Sequence, residues 1–131
     1  KKAKTSEKAY TCLKMAWLYR GKAENLPKDI KDYQTQIIEL KKQELELLKN
    51  ACEGFKSAYS KDTFPMCGMD EITMMYLIAD LCRRIGHFDE SKRWISSVLT
   101  SRGANERIKN KARDLKDMVE KDVERLSKVK H

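Results

Sequence analysis

The residues best suited to metal binding or redox chemistry are the four cysteines, at positions 12, 52, 67 and 82. No two of them form a C-x-x-C pair, the spacing that zinc ribbons and thiol redox sites use. One alternative is a metal site built from Cys67, Cys82 and His87, although that spacing matches no known ligand pattern. We instead predict reduced thiols, with Cys12, Cys52 and Cys82 packed in helices as small apolar side chains.

Catalysis would need a nucleophile, a base and a charge-stabilising group held in one constellation. The sequence has two histidines, His87 and His131, and neither has a spacing that orients it against a carboxylate or a thiol. The acidic pairs at 70–71 and 89–90 precede apolar helical runs, where acidic side chains favour the positive end of the helix dipole. No phosphate-binding glycine loop is present. We therefore predict a protein that is not an enzyme, with no catalytic residue, cofactor or metal.

The elements that position any functional residue are predicted to be helices. The 131 residues include only five glycines and two prolines, too few for a strand-rich fold or for low-complexity disorder. The length suits one compact domain, so we predict a single all-α domain over residues 1–131. The longest apolar run, residues 74–79, is about a third of a membrane span, so we predict no membrane segment. Since the sequence begins with lysine and has no signal peptide, we expect a fragment of a longer chain.

Apolar residues recur at three- and four-residue steps in five segments. We expect Thr5 or Ser6 to cap the first helix and Gly21 to end it. Gly54 is the weak point of an unusually long second helix, and Asp70 and Gly86 are expected to begin and end the third. The predicted helices cover about 5–20, 28–59, 70–85, 88–100 and 105–129.

Residues 75–99, MYLIADLCRRIGHFDESKRWISSVL, resemble one tetratricopeptide unit. The resemblance depends on eight positions: Ile78, Ala79, Cys82, Gly86, Phe88, Ser91, Ile95 and Val98. A second, split copy pairs Tyr10, Leu13 and Trp17 with Ala51, Phe55 and Ala58, with about 25 extra residues between its halves. We predict a lengthened hairpin over 5–60, a second hairpin over 70–100 and a capping helix over 105–129. The alternative is an ordinary five-helix bundle.

A narrower resemblance rests on AWLYR at 16–20, on the A-x3-F-x2-A helix at 51–58 and on MDEITMMYLIADLCRRIGHFDES at 69–91. Together these segments resemble the C-terminal, tetratricopeptide-like part of a bacterial family of unknown function. Members of that family carry paired-cysteine motifs in their N-terminal region, and this sequence contains none. The resemblance implies a cytoplasmic bacterial protein, and it implies no activity or catalytic residue.

The predicted function is therefore non-catalytic binding of a protein or peptide, through the first helix of each repeat. Tyrosine offers a large contact area with a polar tip, and arginine forms paired bonds to carboxylates. We expect a groove for an acidic or C-terminal peptide, with Arg83 and Lys8 as anchors. The predicted contact residues are Lys8, Thr11, Met15, Leu18 and Tyr19 from the first copy, and Thr73, Tyr76, Asp80, Arg83 and Arg84 from the second.

Two alternatives remain open for the function. The net charge of +8 favours sequence-independent nucleic-acid binding. That charge lies at the two ends: residues 1–50 hold 12 basic and 7 acidic side chains, residues 51–100 hold 6 and 7, and residues 101–131 hold 10 and 6. The charge distribution therefore favours a protein partner over nucleic acid, which stays an alternative. The second alternative is a homodimer through Ile37, Ile38 and Leu40, if the short first helix leaves them uncovered.

Overall fold

A computed structural model describes residues 4–61 and 63–129 of the chain. In that part of the chain there are five α-helices and no strand, so the all-α prediction is confirmed. None of these helices is long and apolar enough to cross a membrane. The helices are α1 (Thr5–Glu24), α2 (Tyr33–Lys61), α3 (Glu71–Arg84), α4 (Phe88–Thr100) and α5 (Glu106–Val129).

The described residues divide into two compact units. The first unit ends at Ser60 and comprises α1 and nearly all of α2. The second unit begins at Lys61 and comprises α3, α4 and α5. The single domain predicted from the chain length stays a prediction.

In the first unit, α1 and α2 form an antiparallel hairpin whose register is fixed by two contacts. Near one end, Arg20 Nε lies 2.8 Å from Glu44 Oε2. Near the other, a Cβ built on Gly54 would lie only 2.7 Å from the Cβ of Ala9, so the helices approach closely there. In this register the last residue of α1 lies level with about residue 40, so α2 continues about two turns past α1.

The ends of α1 and α2 differ from the prediction at three places. Lys4 is the N-cap of α1 and makes no side-chain cap bond, so the predicted hydroxyl cap is wrong. Helix α1 also continues through Gly21 to Glu24, because a helical glycine costs only about 1 kcal/mol. Asp32 has φ +62°, a left-handed conformation that cannot continue a helix, and α2 therefore begins at Tyr33 rather than near residue 28.

In the second unit, α3 and α4 form a hairpin against which α5 packs. Asp70 is the N-cap of α3, as predicted, and its carboxylate accepts a hydrogen bond from the Thr73 N–H at 2.8 Å. Gly86 has φ +86° and ends α3 as predicted. The fully buried Ser91 on α4 donates its hydroxyl to the Ala79 carbonyl at 2.7 Å, so the two helices meet through small residues.

The apolar residues that recur at helical steps are buried in part. Trp17 is an exception: its side chain is 46% exposed, whereas the three- and four-residue steps of α1 place it with Leu13 on the buried face. Tyr33, Ile37, Leu40 and Leu47 on α2 are only half-buried. Val123 and Leu126 continue the apolar stripe of α5 but are exposed. The residues of this pattern that are buried are Ala9, Leu13, Ala16, Ala51, Phe55, Ala58, Met75, Ile78, Ala79, Cys82, Ile95, Val98, Ala112, Leu115 and Val119.

Candidate binding surfaces

The predicted contact residues of the first unit lie on the side of α1 that faces away from α2. The α2-facing stripe consists of Ser6, Ala9, Leu13 and Ala16, all of which are buried. Residues at the intervening positions point to the opposite side of a helix. We call this side the outer face of α1; its residues are Lys8, Thr11, Met15, Leu18 and Lys22, all exposed.

Helix α1 carries large apolar side chains all round its circumference. Met15 is 42% exposed and Leu18 is 67% exposed on the outer face. Trp17 is 46% exposed but lies about 100° around the helix from Leu18, next to the α2-facing stripe. A helix that is apolar on every side is normally enclosed by other elements. Here only the α2-facing stripe is enclosed, so three large apolar side chains contact solvent.

Cations border these apolar side chains. The ammonium of Lys14 lies 4.9 Å from the ring centre of Tyr10, and that of Lys22 lies 5.1 Å from the ring centre of Tyr19. These distances are within the range of cation–π attraction. Tyr19, a predicted contact residue, is half-buried and helps to hold a lysine at the surface. The sequence alone could have indicated these two cation–π pairs, because tyrosine precedes lysine by four residues in one pair and by three in the other.

The predicted contact residues of the second unit form an ion-pair network. On α3, Arg84 Nε donates to Asp80 Oδ2 at 2.9 Å, and Arg83 Nη2 lies 3.7 Å from Asp80 Oδ1. Arg83 Nη1 also donates to Asp122 Oδ2 on α5 at 3.0 Å. The Arg83 side chain is only 13% exposed, and its Nε is buried without a hydrogen-bond partner. The guanidinium predicted as an anchor is thus already held by two carboxylates.

Thr73 and Tyr76 complete the predicted set on α3. The Thr73 N–H and hydroxyl both bond the Asp70 carboxylate, and these bonds lower the pKa of Asp70 below its usual value. Tyr76 is half-buried; burial, followed by the nearby Asp80 carboxylate, raises the pKa of its phenol. Thr73 therefore caps a helix, and Tyr76 lies beside the ion-pair network. That all ten residues contact a partner stays a prediction.

Asp122 is the residue of this network that sequence reasoning missed. It lies 39 positions after Arg83. Helical spacing relates only residues within a few turns of one another, so the sequence contained no local signal for this pair.

The residues considered for metal or redox chemistry do not form a ligand cluster. None of the four cysteines forms a disulfide. Among the residues that the structure describes, no three of His, Cys, Asp or Glu come together as a group that could hold a metal ion. His87 Nδ1 lies 3.6 Å from Glu90 Oε1, a distance too long for a hydrogen bond that would orient the ring. His87 is the N-cap of α4 and Glu90 follows it by three residues, so the first turn of the helix brings the two side chains together.

Comparisons with known proteins give one match. The model of a family described as an uncharacterized protein conserved in bacteria, DUF2225, matches residues 1–119. No curated protein and no solved structure matches the chain.

Proposed function

This chain belongs to the uncharacterised bacterial family DUF2225, and we propose that it is a non-catalytic module that binds an acidic protein or peptide through the outer face of α1. The observation that carries the proposal is the exposure of Met15 and Leu18, two large apolar side chains that lie together on the outer face. Large apolar side chains that cluster on a surface and are bordered by polar groups are typical of interaction sites.

Burial of these side chains supplies the driving force for binding. Covering one such side chain contributes about 1.5–3 kcal/mol relative to full exposure, and both are already partly covered. A partner that covers Met15 and Leu18 together would therefore gain most from this face.

The charges on α1 favour an acidic partner. Lys8 and Lys22 on the outer face, with the adjacent Lys14, have no carboxylate within ion-pair distance among the described residues. Pairing them with a partner's carboxylates would speed association and select against basic partners. The proposed peptide site therefore includes Lys8, Thr11, Met15 and Tyr19, which are predicted contact residues of the first unit.

The tetratricopeptide-like architecture is part of the same proposal. Its support is the burial of most motif positions in both hairpins, including Ala51, Phe55 and Ala58 on α2, although Trp17 is exposed. The close approaches at Gly54 and at Ser91 are the kind of small-residue contact that such a repeat needs. On this proposal α5 closes the second hairpin as the capping helix.

Selection from a random peptide library tests the proposal. We expect the peptides that bind the wild-type protein to combine Asp or Glu with Leu, Phe or Met, and to lose affinity as salt rises. The variant Met15→Asp/Leu18→Asp should bind them at least about tenfold more weakly, because it removes the apolar contacts and adds like charge.

Ile38→Asp is the matched control. Ile38 is as exposed as Leu18, at 65%, but it lies on α2. Its substitution should leave peptide affinity unchanged. Selected peptides without acidic residues, or equal loss of affinity in the α2 control, would overturn the assignment to α1.

Homodimerisation through α2 is the second candidate. Ile38 and Leu45 are both exposed and lie seven residues apart, on one side of the helix. Lys41 and Lys42 lie between them, however, and an antiparallel α2–α2 pair centred there would bring four lysines together. Light scattering of wild type and Ile38→Asp tests the dimer: a mass that falls from dimer to monomer on substitution would support it, and a wild-type monomer would exclude it.

A further inference from the structure

The α1–α2 hairpin contains a cleft at the end where its two helices connect. The last turn of α1, the connecting segment and the first turns of α2 enclose about 400 Å³. This volume is within the range of about 300–1,000 Å³ that small-molecule sites occupy. The cleft belongs entirely to the first unit and shares no residue with the outer face of α1.

The lining of the cleft has an apolar part and a charged part. Ala23, Tyr33 and Ile37 are half-buried and supply the apolar part. Lys28 and Lys41 also line the cleft, and both are exposed. The arrangement therefore offers apolar contact next to a positive charge.

The charges leave an excess of one positive group in the cleft. Arg20 and Glu44 neutralise each other through their 2.8 Å ion pair. Lys28 and Lys41 then face a single remaining carboxylate, Glu24, and no ion pair joins any of these three among the described residues. Arg20 Nη2 is also buried without a hydrogen-bond partner, so the arginine retains an unused donor beside the cleft.

We propose that this cleft binds a small organic acid, with its carboxylate between Lys28 and Lys41 and its apolar body against Tyr33 and Ile37. A carboxylate accepts charge-assisted hydrogen bonds from both ammonium groups. An inorganic anion would leave the apolar lining unused, and a neutral apolar molecule would leave the lysines unused. The ligand class is therefore fixed by both parts of the lining.

A titration of the whole chain with sodium hexanoate at constant ionic strength, followed by amide NMR shifts, tests this proposal. We expect saturable shifts confined to residues 20–44, with a Kd of about 1 mM for a ligand of this size. Acetate lacks the apolar body and hexanamide lacks the charge, so each should bind at least about tenfold more weakly.

Two double variants separate a site from general charge. Lys28→Ala/Lys41→Ala should weaken hexanoate binding at least about tenfold. Lys31→Ala/Lys42→Ala removes two exposed lysines that do not line the cleft, and it should bind as wild type does. Three outcomes would overturn the proposal. Hexanamide could bind as tightly as hexanoate, or the second double variant could lose as much hexanoate affinity as the first. The third outcome is that the amide shifts do not saturate by about 20 mM hexanoate.

Discussion

Arg83 on α3 and Asp122 on α5 are joined by a 3.0 Å hydrogen bond between Nη1 and Oδ2. Both side chains are largely buried, with 13% and 17% of their surface exposed. The bond therefore connects the hairpin of the second unit to its last helix.

Removing Asp122 should destabilise the protein, because it leaves a largely buried guanidinium without one of its partners. We expect Asp122→Ala to lower the free energy of unfolding by about 2 kcal/mol, measured by urea denaturation. Arg125 also pairs with Asp122, at 2.9 Å, but is 74% exposed. Arg125→Ala should therefore cost less than about 0.5 kcal/mol, and equal losses in the two variants would contradict the role assigned to Arg83.

Gly54 and Gly21 should respond in opposite directions to alanine. A Cβ at position 54 would lie 2.7 Å from the Ala9 Cβ, whereas one at position 21 meets nothing within 4 Å. We expect Gly54→Ala to destabilise by about 1–3 kcal/mol despite its better helix propensity, and Gly21→Ala to stabilise by about 0.5–1 kcal/mol. Thermal unfolding measures both effects, and Ala9→Gly should partly restore Gly54→Ala.

The Asp70 cap should contribute stability that depends on pH. Its pKa is lowered in the folded state by the bonds from Thr73, so folding favours the charged carboxylate. The contribution is therefore complete above the unfolded pKa and is lost as pH falls through the folded pKa. Asp70→Ala should cost about 1 kcal/mol at neutral pH, and the difference from wild type should shrink between about pH 5 and pH 2.

Asp70→Asn is the control for this effect. Asparagine keeps the capping oxygen but does not titrate, so it should cost little at neutral pH. A wild-type protein whose stability relative to Asp70→Asn does not change with acid would contradict the charged cap.

The charge of α5 should not produce tight nucleic-acid binding at physiological salt. Arg113, Arg125 and Lys128 each lie within 4 Å of a carboxylate of the same helix. The helix holds eight basic and six acidic side chains, so its net charge is only +2 and the attraction to phosphates is correspondingly weak. We expect no gel retardation of labelled DNA or RNA by about 10 µM protein at 0.15 M salt, and retardation there would revive the nucleic-acid alternative.

The sequence predicted the helices and most of their buried positions because both depend on local periodicity. Ala51, Phe55 and Ala58 fall at steps of four and three, and all three are fully buried. Trp17 was misplaced because apolar residues surround α1, so the pattern did not distinguish its buried side from its exposed side. The left-handed backbone at Asp32, which delays the start of α2, likewise has no signal in apolar spacing.

The candidate surfaces were less predictable because they depend on what the helices leave uncovered. The register of the tetratricopeptide resemblance places Lys8, Thr11 and Met15 together, and helix geometry puts them on one side of α1. The sequence could not show that Arg83 is held by Asp122, since that contact requires the packing of α5. It also could not show the cleft between Lys28 and Lys41, because residues 28–32 of the connecting segment are predicted as helix.

The two contacts that set the hairpin register also restrict where the first unit can change in length. One residue inserted between Ala9 and Arg20 would rotate the rest of α1 by about 100° and carry Arg20 away from Glu44. An insertion at Leu26 or Pro27 would leave both contacts in place. Related chains that keep this hairpin should therefore vary in length in the connection between the helices, next to the cleft, and not within either helix.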